Sequence, residues 1–79
     1  MDWRDVHIGF ASDGFAISGL DVWKHKWRRV AAEPLILPHP AYPEQRHHFD
    51  IYEIGDAGDP ARFAAGELSN GVWGFYVPA

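Results

Sequence analysis

Residues 61–78, ARFAAGELSNGVWGFYVP, carry the strongest structural signal in the chain. Two runs of aromatic, aliphatic and small residues flank Asn70-Gly71, a dipeptide typical of two-residue β-hairpin loops. The favoured loop is a type I′ turn, in which both central residues adopt positive φ. The segment therefore predicts an antiparallel β-hairpin that turns at Asn70-Gly71.

A two-residue loop fixes which side chains share a face of the hairpin, because side chains alternate along a strand. One predicted face is wholly apolar and is expected in the core: Ala64, Gly66, Leu68, Trp73, Phe75 and Val77. The other face places Glu67 near Tyr76, and a carboxylate beside a phenol can bind a ligand or act in acid–base chemistry. The simpler interpretation, which we favour, is a solvent-exposed Glu67 that pairs with a cation such as Arg62.

Asp13-Gly14 predicts a second hairpin of the same kind. Its two-residue loop pairs Phe10 with Ile17 and buries Val6 and Ile8 on the same face. The opposite face of this hairpin consists of small residues, which allow another surface to approach closely: Gly9, Ala11, Ala16 and Ser18.

Two further segments have the pattern of extended chain. Residues 47–54, HHFDIYEI, are rich in aromatic and β-branched residues and predict a strand. Residues 34–43, PLILPHPAYP, hold four prolines, which exclude a helix or a central strand. This second segment predicts an extended, partly polyproline-like crossing of the surface.

The segment 20–31 is compatible with two structures. Trp23 and Trp27 recur at helical spacing, so a helix near residues 21–31 is one alternative. A strand is the other, because aromatic residues and cations also alternate along the segment. We favour the strand, since the flanking segments are β and the cations have no acidic partner four residues away.

Glycine and proline punctuate the chain too densely for a helical bundle, with eight Gly and six Pro among 79 residues. The length fits a single domain over residues 1–79. We predict a mainly β fold, a small antiparallel barrel, roll or sandwich of five or six strands with a proline-rich surface crossing. The alternative is an α+β fold with one helix near residues 21–31. The absence of cysteine excludes disulfides, zinc–thiolate sites and thiol nucleophiles.

Residues 23–29, WKHKWRR, interleave aromatic rings with positive charge. Such a segment can stack bases or other rings while its cations bind phosphate or carboxylate groups. The candidate binding residues are Glu67 and Tyr76 together with six residues of this segment: Trp23, Lys24, Lys26, Trp27, Arg28 and Arg29. The simpler interpretation places both tryptophans in the core beneath a solvated basic face.

The sequence holds no motif for catalysis, for a metal or for a cofactor. Its five histidines lack the spacing of a metal site, and none of its serines lies in a nucleophile elbow. No glycine-rich phosphate-binding motif is present. We therefore expect no catalytic residue, no metal and no cofactor, and we favour a protein that is not an enzyme.

Charge and hydropathy narrow the classes of partner. A net charge of −4 argues against nucleic acid, although the basic segment keeps that class open. No apolar run is long enough to cross a membrane, and the first residues lack a signal-peptide pattern, so we expect a cytoplasmic protein. The basic segment 24–29 and the acidic segment 50–59 are expected to be complementary, within the fold or between subunits.

Two functions fit these observations. The first is a non-enzymatic interaction or ligand-binding module that self-associates as a dimer. A domain this small buries a limited core, and four Trp, three Tyr and five Phe exceed what such a core hides. The second is a binder of an anionic ligand or single-stranded nucleic acid through residues 23–29. We favour the first, with another protein or an anionic small molecule as further partner classes.

Overall fold

The computed structural model describes residues 2–30, 35–56 and 58–79. These residues form a six-stranded antiparallel sheet and a separate two-stranded hairpin. In chain order the strands are β1 Trp3–Gly9, β2 Ala16–Ile17, β3 Leu20–Asp21, β4 Trp27–Arg29, β5 Leu35–Pro38, β6 Arg46–Ile54, β7 Ala61–Ser69 and β8 Val72–Pro78. The mainly β prediction is confirmed, and the architecture is an open sheet with no α-helix in the described part of the chain.

The sheet has the strand order β1-β8-β7-β6-β4. The first half of β6 pairs with β5, and the second half pairs with both β4 and β7. β1, the first strand of the chain, pairs with β8, the last. This long-range pairing brings the two ends of the chain together along one side of the sheet.

The hairpin predicted at Asp13-Gly14 is wrong. The chain forms a single 3-10 turn at Ala11–Asp13, in which the Asp13 carboxylate accepts a hydrogen bond of 2.8 Å from the backbone N–H of Phe10. The local hairpin instead joins β2 to β3 through Ser18 and Gly19. These residues have φ values of 53° and 78°, the two positive angles that a type I′ turn requires.

The core face predicted for that hairpin is therefore wrong as well. Ile17 is buried, but Val6, Ile8 and Phe10 are 36%, 38% and 52% exposed. They are exposed because β1 pairs with β8 instead of with the segment around Ile17. The predicted strip of small residues does not form, since Gly9 lies on β1 while Ala16 and Ser18 belong to the β2–β3 hairpin.

The hairpin at Asn70-Gly71 is confirmed, with Ser69 opposite Val72 across a two-residue loop. Among its central residues only Gly71 has a positive φ, of 80°. The turn is therefore not type I′, because that turn needs two positive φ angles. A positive φ at the third turn position alone is the requirement of a type II turn.

The predicted register of this hairpin is wrong beyond the turn. A bulge between Glu67 and Ser69 inserts one extra residue, so that Ala65 lies opposite Phe75 and Ala64 opposite Tyr76. A slip of one residue moves a strand's side chains to the opposite face. The apolar set predicted for one face is consequently divided between the two faces of the sheet.

The remaining sequence predictions agree with the structure where it describes the chain. The strand predicted over 47–54 is confirmed as β6. The helix alternative for 21–31 is wrong over the described residues 21–30, which form a turn and then β4. Residues 35–38 are extended, as predicted, and pair as β5 with β6 alone within the described chain. Ala31 and Pro34 lie outside the described residues.

The β2–β3 hairpin covers one face of the sheet, which we call the hairpin face. The core between the β2–β3 hairpin and this face has six buried residues: Ile17, Val22, Ile54, Phe63, Ala65 and Phe75. Phe75 is the centre of an aromatic cluster, with ring centroids 4.6 Å from Phe15, 5.5 Å from Trp23 and 5.8 Å from Trp27. The tilted and edge-to-face geometries are those that aromatic pairs prefer.

The opposite face, which we call the β5 face, carries a smaller core of Phe49, Ala64 and Tyr76. β5 and the first half of β6 cover it. Gly66 is required there, because a Cβ at this position would lie 2.5 Å from the carbonyl oxygen of His48. The Tyr76 hydroxyl donates a hydrogen bond to the carbonyl oxygen of Pro38 and so attaches the end of β5 to β8.

Candidate functional site

Three strands lie at the edges of the sheet, and they differ in how well they are protected. β4 has three residues, of which Arg28 and Arg29 are exposed cations. β5 has four residues and ends in Pro38, which has no backbone N–H to offer a partner. β1 has seven residues and no proline, and in the described chain it pairs with β8 alone. Short, charged, bulged or proline-containing edges resist further pairing. The first half of β1 carries the exposed charges of Arg4 and Asp5 and a bulge between Asp5 and His7. Residues 7–9 have no Asp, Glu, Lys, Arg or Pro and no bulge, so the second half of β1 is the least protected edge.

The exposed apolar side chains of this region lie on and next to β1. Ile8 is in the regular part of the strand, opposite Gly74. Val6 occupies a bulge between Asp5 and His7, and Phe10 follows the end of the strand. The free edge of β1 therefore combines unpaired backbone groups with exposed apolar side chains.

The inner side of β1 is fixed by His7. Its ring stacks on Phe15 at a centroid distance of 4.3 Å and lies 6.1 Å from Phe75. The Nε2 atom of His7 is buried and has no hydrogen-bond partner among the described residues. Gly9 accommodates both this nitrogen and the carboxylate of Asp13, since a Cβ at Gly9 would collide with them. β1 is thus held firmly against the hairpin face while its outer edge stays open.

The two tryptophans predicted as a stacking platform pack into the aromatic cluster. Trp23 and Trp27 are half-buried, with their ring centroids 5.3 Å apart. The indole N–H of Trp27 donates a 2.6 Å hydrogen bond to the carbonyl oxygen of Val22. Both rings also lie edge-on to Phe75. They are therefore used largely for packing.

The cations of the basic segment are divided between the fold and solvent. Arg28 donates a 2.8 Å hydrogen bond to the carbonyl oxygen of Gly55, and Arg29 forms a 3.2 Å ion pair with Asp50. Lys24 and Lys26 are exposed. The Arg29–Asp50 pair joins the predicted basic and acidic segments at one point. Lys24 and Lys26 make no ion pair with a described residue, so the complementarity of the two segments stays a prediction.

The predicted neighbourhood of Glu67 and Tyr76 is wrong. Glu67 lies opposite Trp73, next to the bulge, whereas Tyr76 lies on the β5 face. The Glu67 carboxylate accepts a hydrogen bond of 3.2 Å from the backbone N–H of Gly71. The cation suggested as its partner, Arg62, instead pairs with Glu53 at 3.1 Å. The bulge that separates Glu67 from Tyr76 has no local signal that sequence reasoning could have used.

Two tyrosines have raised pKa values. Burial, and then the nearby Asp5 carboxylate, raise the pKa of Tyr76 above the ordinary value of 10.0. Burial also raises the pKa of Tyr52, with the Asp50 carboxylate as the next cause. Both shifts favour the neutral phenol, so both tyrosines carry no charge at neutral pH.

A groove with a volume of about 370 Å³ lies between the β2–β3 hairpin and the end of the sheet. Apolar side chains and three polar ones line it: Arg4, Val6, Ala16, Ile17, Ser18, Ala61, Arg62, Val77 and Pro78. Sequence reasoning missed this groove because its walls come from four segments that meet only after β1 pairs with β8.

Comparison with known proteins adds no family. No family model, no curated protein and no solved structure matches the chain. Over the described ranges, no three His, Asp or Glu side chains converge as metal ligands. The same ranges contain no helix long and apolar enough to cross a membrane.

Proposed function

We propose that the protein is a non-enzymatic interaction module that self-associates through the free edge of β1. The observation that supports this proposal is the contrast among the three sheet edges. β4 and β5 are short and are protected by charge or proline, while β1 is long and carries the exposed Ile8. Unpaired donors and acceptors on such an edge pair readily with another strand.

The simplest partner is a second copy of the same strand. Two copies of β1 that run antiparallel about a two-fold axis present the same surface to each other. With the axis near Ile8, this side chain lies opposite its own copy, in the regular part of the strand after the bulge. Apolar cross-strand pairs stabilise an antiparallel ladder by about 0.2–1 kcal/mol each. The exposed ring of Phe10 then extends the apolar contact beyond the ladder.

The alternative, binding of an anionic ligand or a single-stranded nucleic acid through residues 23–29, has weaker support. Stacking requires a ring with a free face. Trp23 and Trp27 each pack against several other rings of the hairpin-face core and are half-buried. The exposed Lys24 and Lys26 are left without an aromatic platform beside them.

Light scattering across a hundredfold dilution tests the proposal. We expect the mass to fall from about twice 8.9 kDa to 8.9 kDa as the protein is diluted. Ile8→Lys places a charge on the proposed contact and should keep the protein monomeric at every concentration. Ile36→Lys is the matched control, because Ile36 is 46% exposed on β5. A wild-type mass of 8.9 kDa throughout, or equal behaviour of the two variants, would reject the proposal.

A further inference from the structure

The groove beside the β2–β3 hairpin has the size and lining of a small-molecule site. Its volume of about 370 Å³ falls within the range of ~300–1,000 Å³ found for ligand pockets. Val6, Val77 and Pro78 are among its apolar lining residues, together with the largely buried Ile17. Such pockets typically combine apolar walls with a few polar groups that orient the ligand.

The polar groups at this groove are mainly cationic. Arg4 makes no ion pair with any described residue. Arg62 uses one guanidinium nitrogen to pair with Glu53, and its side chain remains about half exposed. Guanidinium groups bind carboxylates with two parallel hydrogen bonds, which makes them suitable anchors for a carboxylate.

A second, acidic cleft adjoins the groove and shares Ser18 and Ala61 with it. Asp56 and Asp59 line this cleft. A ligand with a second carboxylate extending in that direction would meet like charge, which is unfavourable. The combination therefore favours a single negative charge at one end of an otherwise apolar molecule.

We propose that the groove binds a small apolar monocarboxylate, with Arg4 and Arg62 holding its carboxylate. The hydrocarbon part lies against Val77 and Pro78. Arg4 and Val6 of the groove belong to β1, but neither Ile8 nor the segment 23–29 lines it. Ile8→Lys therefore separates ligand binding at the groove from self-association. The groove would bind a small molecule, whereas the edge of β1 would bind a second copy of the chain.

Titration of ¹⁵N-labelled protein with hexanoate, followed by NMR, tests this site. We expect chemical-shift changes at Arg4, Ser18 and Val77. Hexanol has the same chain without the charge, and adipate has a second carboxylate, so both should bind more weakly than hexanoate. The titration is repeated on Ile8→Lys protein, whose binding should be unchanged.

Substitutions then identify the anchors. Arg4→Gln and Arg62→Gln should each weaken hexanoate binding about tenfold, the effect of losing a charge-assisted hydrogen bond. Arg46→Gln is the matched control, because Arg46 is an exposed arginine outside the groove. The site is rejected if hexanoate shifts no groove residue, if hexanol or adipate binds as well, or if Arg46→Gln weakens binding as much as Arg4→Gln.

Discussion

The two faces of the sheet are covered by other segments of the chain, whereas its β1 edge is not covered by any described residue. Each face is covered by another segment of the same chain, the β2–β3 hairpin on one side and β5 with the first half of β6 on the other. The β1 edge has no such cover among the described residues, and Ile8 is exposed there. Burial of apolar area stabilises the fold, whereas unpaired backbone and exposed apolar side chains favour association.

The comparison shows where surplus aromatic residues go in a domain this small. A single small core would leave several of the twelve aromatic rings exposed, and exposed rings favour self-association. The sheet instead has a core on each face, and the hairpin-face core packs Phe75 against five neighbouring rings. The edge of the sheet, and not the number of aromatic rings, therefore favours association.

The largest expected effect comes from removing the central ring of the hairpin-face core. Phe75→Ala should lower the free energy of unfolding by about 3–5 kcal/mol, enough to unfold much of a domain of this size. Phe49→Ala on the β5 face should cost less, because Phe49 has one ring neighbour, Tyr76, in the described part of the chain. Phe75→Leu and Phe49→Leu keep the comparison measurable by urea denaturation. If the Phe49 variants were the less stable ones, the larger role assigned to the hairpin-face core would be wrong.

The next effect concerns how closely the chain covers the β5 face. Gly66→Ala places a methyl group against the carbonyl oxygen of His48, and overpacking of this kind costs about 1–3 kcal/mol. Gly58→Ala is the matched control, because no atom lies within 4 Å of the corresponding position there. Thermal unfolding of the two variants measures the difference, and equal melting temperatures would show that β6 does not cross Gly66 so closely.

A smaller effect tests the hydrogen bond that attaches β5 to β8. Tyr76→Phe removes the donor to the Pro38 carbonyl and should cost about 1 kcal/mol. Tyr42→Phe, at a tyrosine that is 55% exposed, is the control. Urea denaturation at neutral pH should show a loss of stability for the first variant only.

The same tyrosine predicts an alkaline pH dependence. Because the folded-state pKa of Tyr76 is raised, its contribution to stability is complete below the ordinary pKa of 10.0 and is lost as the pH rises through the folded value. Wild-type protein should lose stability above pH 10, and Tyr76→Phe should lose less over the same interval. A steeper loss in the variant would contradict the direction of the shift.

The fold class and several strands could be predicted because their signals are local. Asn70-Gly71 predicts its turn wherever the neighbouring residues are β-compatible, and the β-branched and aromatic residues of 47–54 predict β6. The pairing of β1 with β8 has no local signal, and it decides which residues of β1 are exposed. The bulge after Glu67 also has no local sequence signal, and its single extra residue places Glu67 and Tyr76 on different faces of the sheet.

The candidate site was less predictable than the fold. The basic segment 23–29 stood out by composition, yet its tryptophans pack into the aromatic cluster. The free edge of β1 depends on which strands remain unpaired. The groove beside the β2–β3 hairpin depends on how segments distant in sequence meet in the fold. A pattern of residues along the chain does not record either property.

Hydrogen exchange at two protein concentrations tests the central claim most directly. At labelling times too short for global unfolding, we predict that amides of residues 7–9, which lie around the proposed two-fold axis at Ile8, exchange more slowly at high concentration than after dilution. Residues 61–69, in the centre of the sheet, should exchange equally at both concentrations. Exchange over residues 7–9 that does not depend on concentration, or protection that appears over residues 23–29 instead, would contradict association through β1.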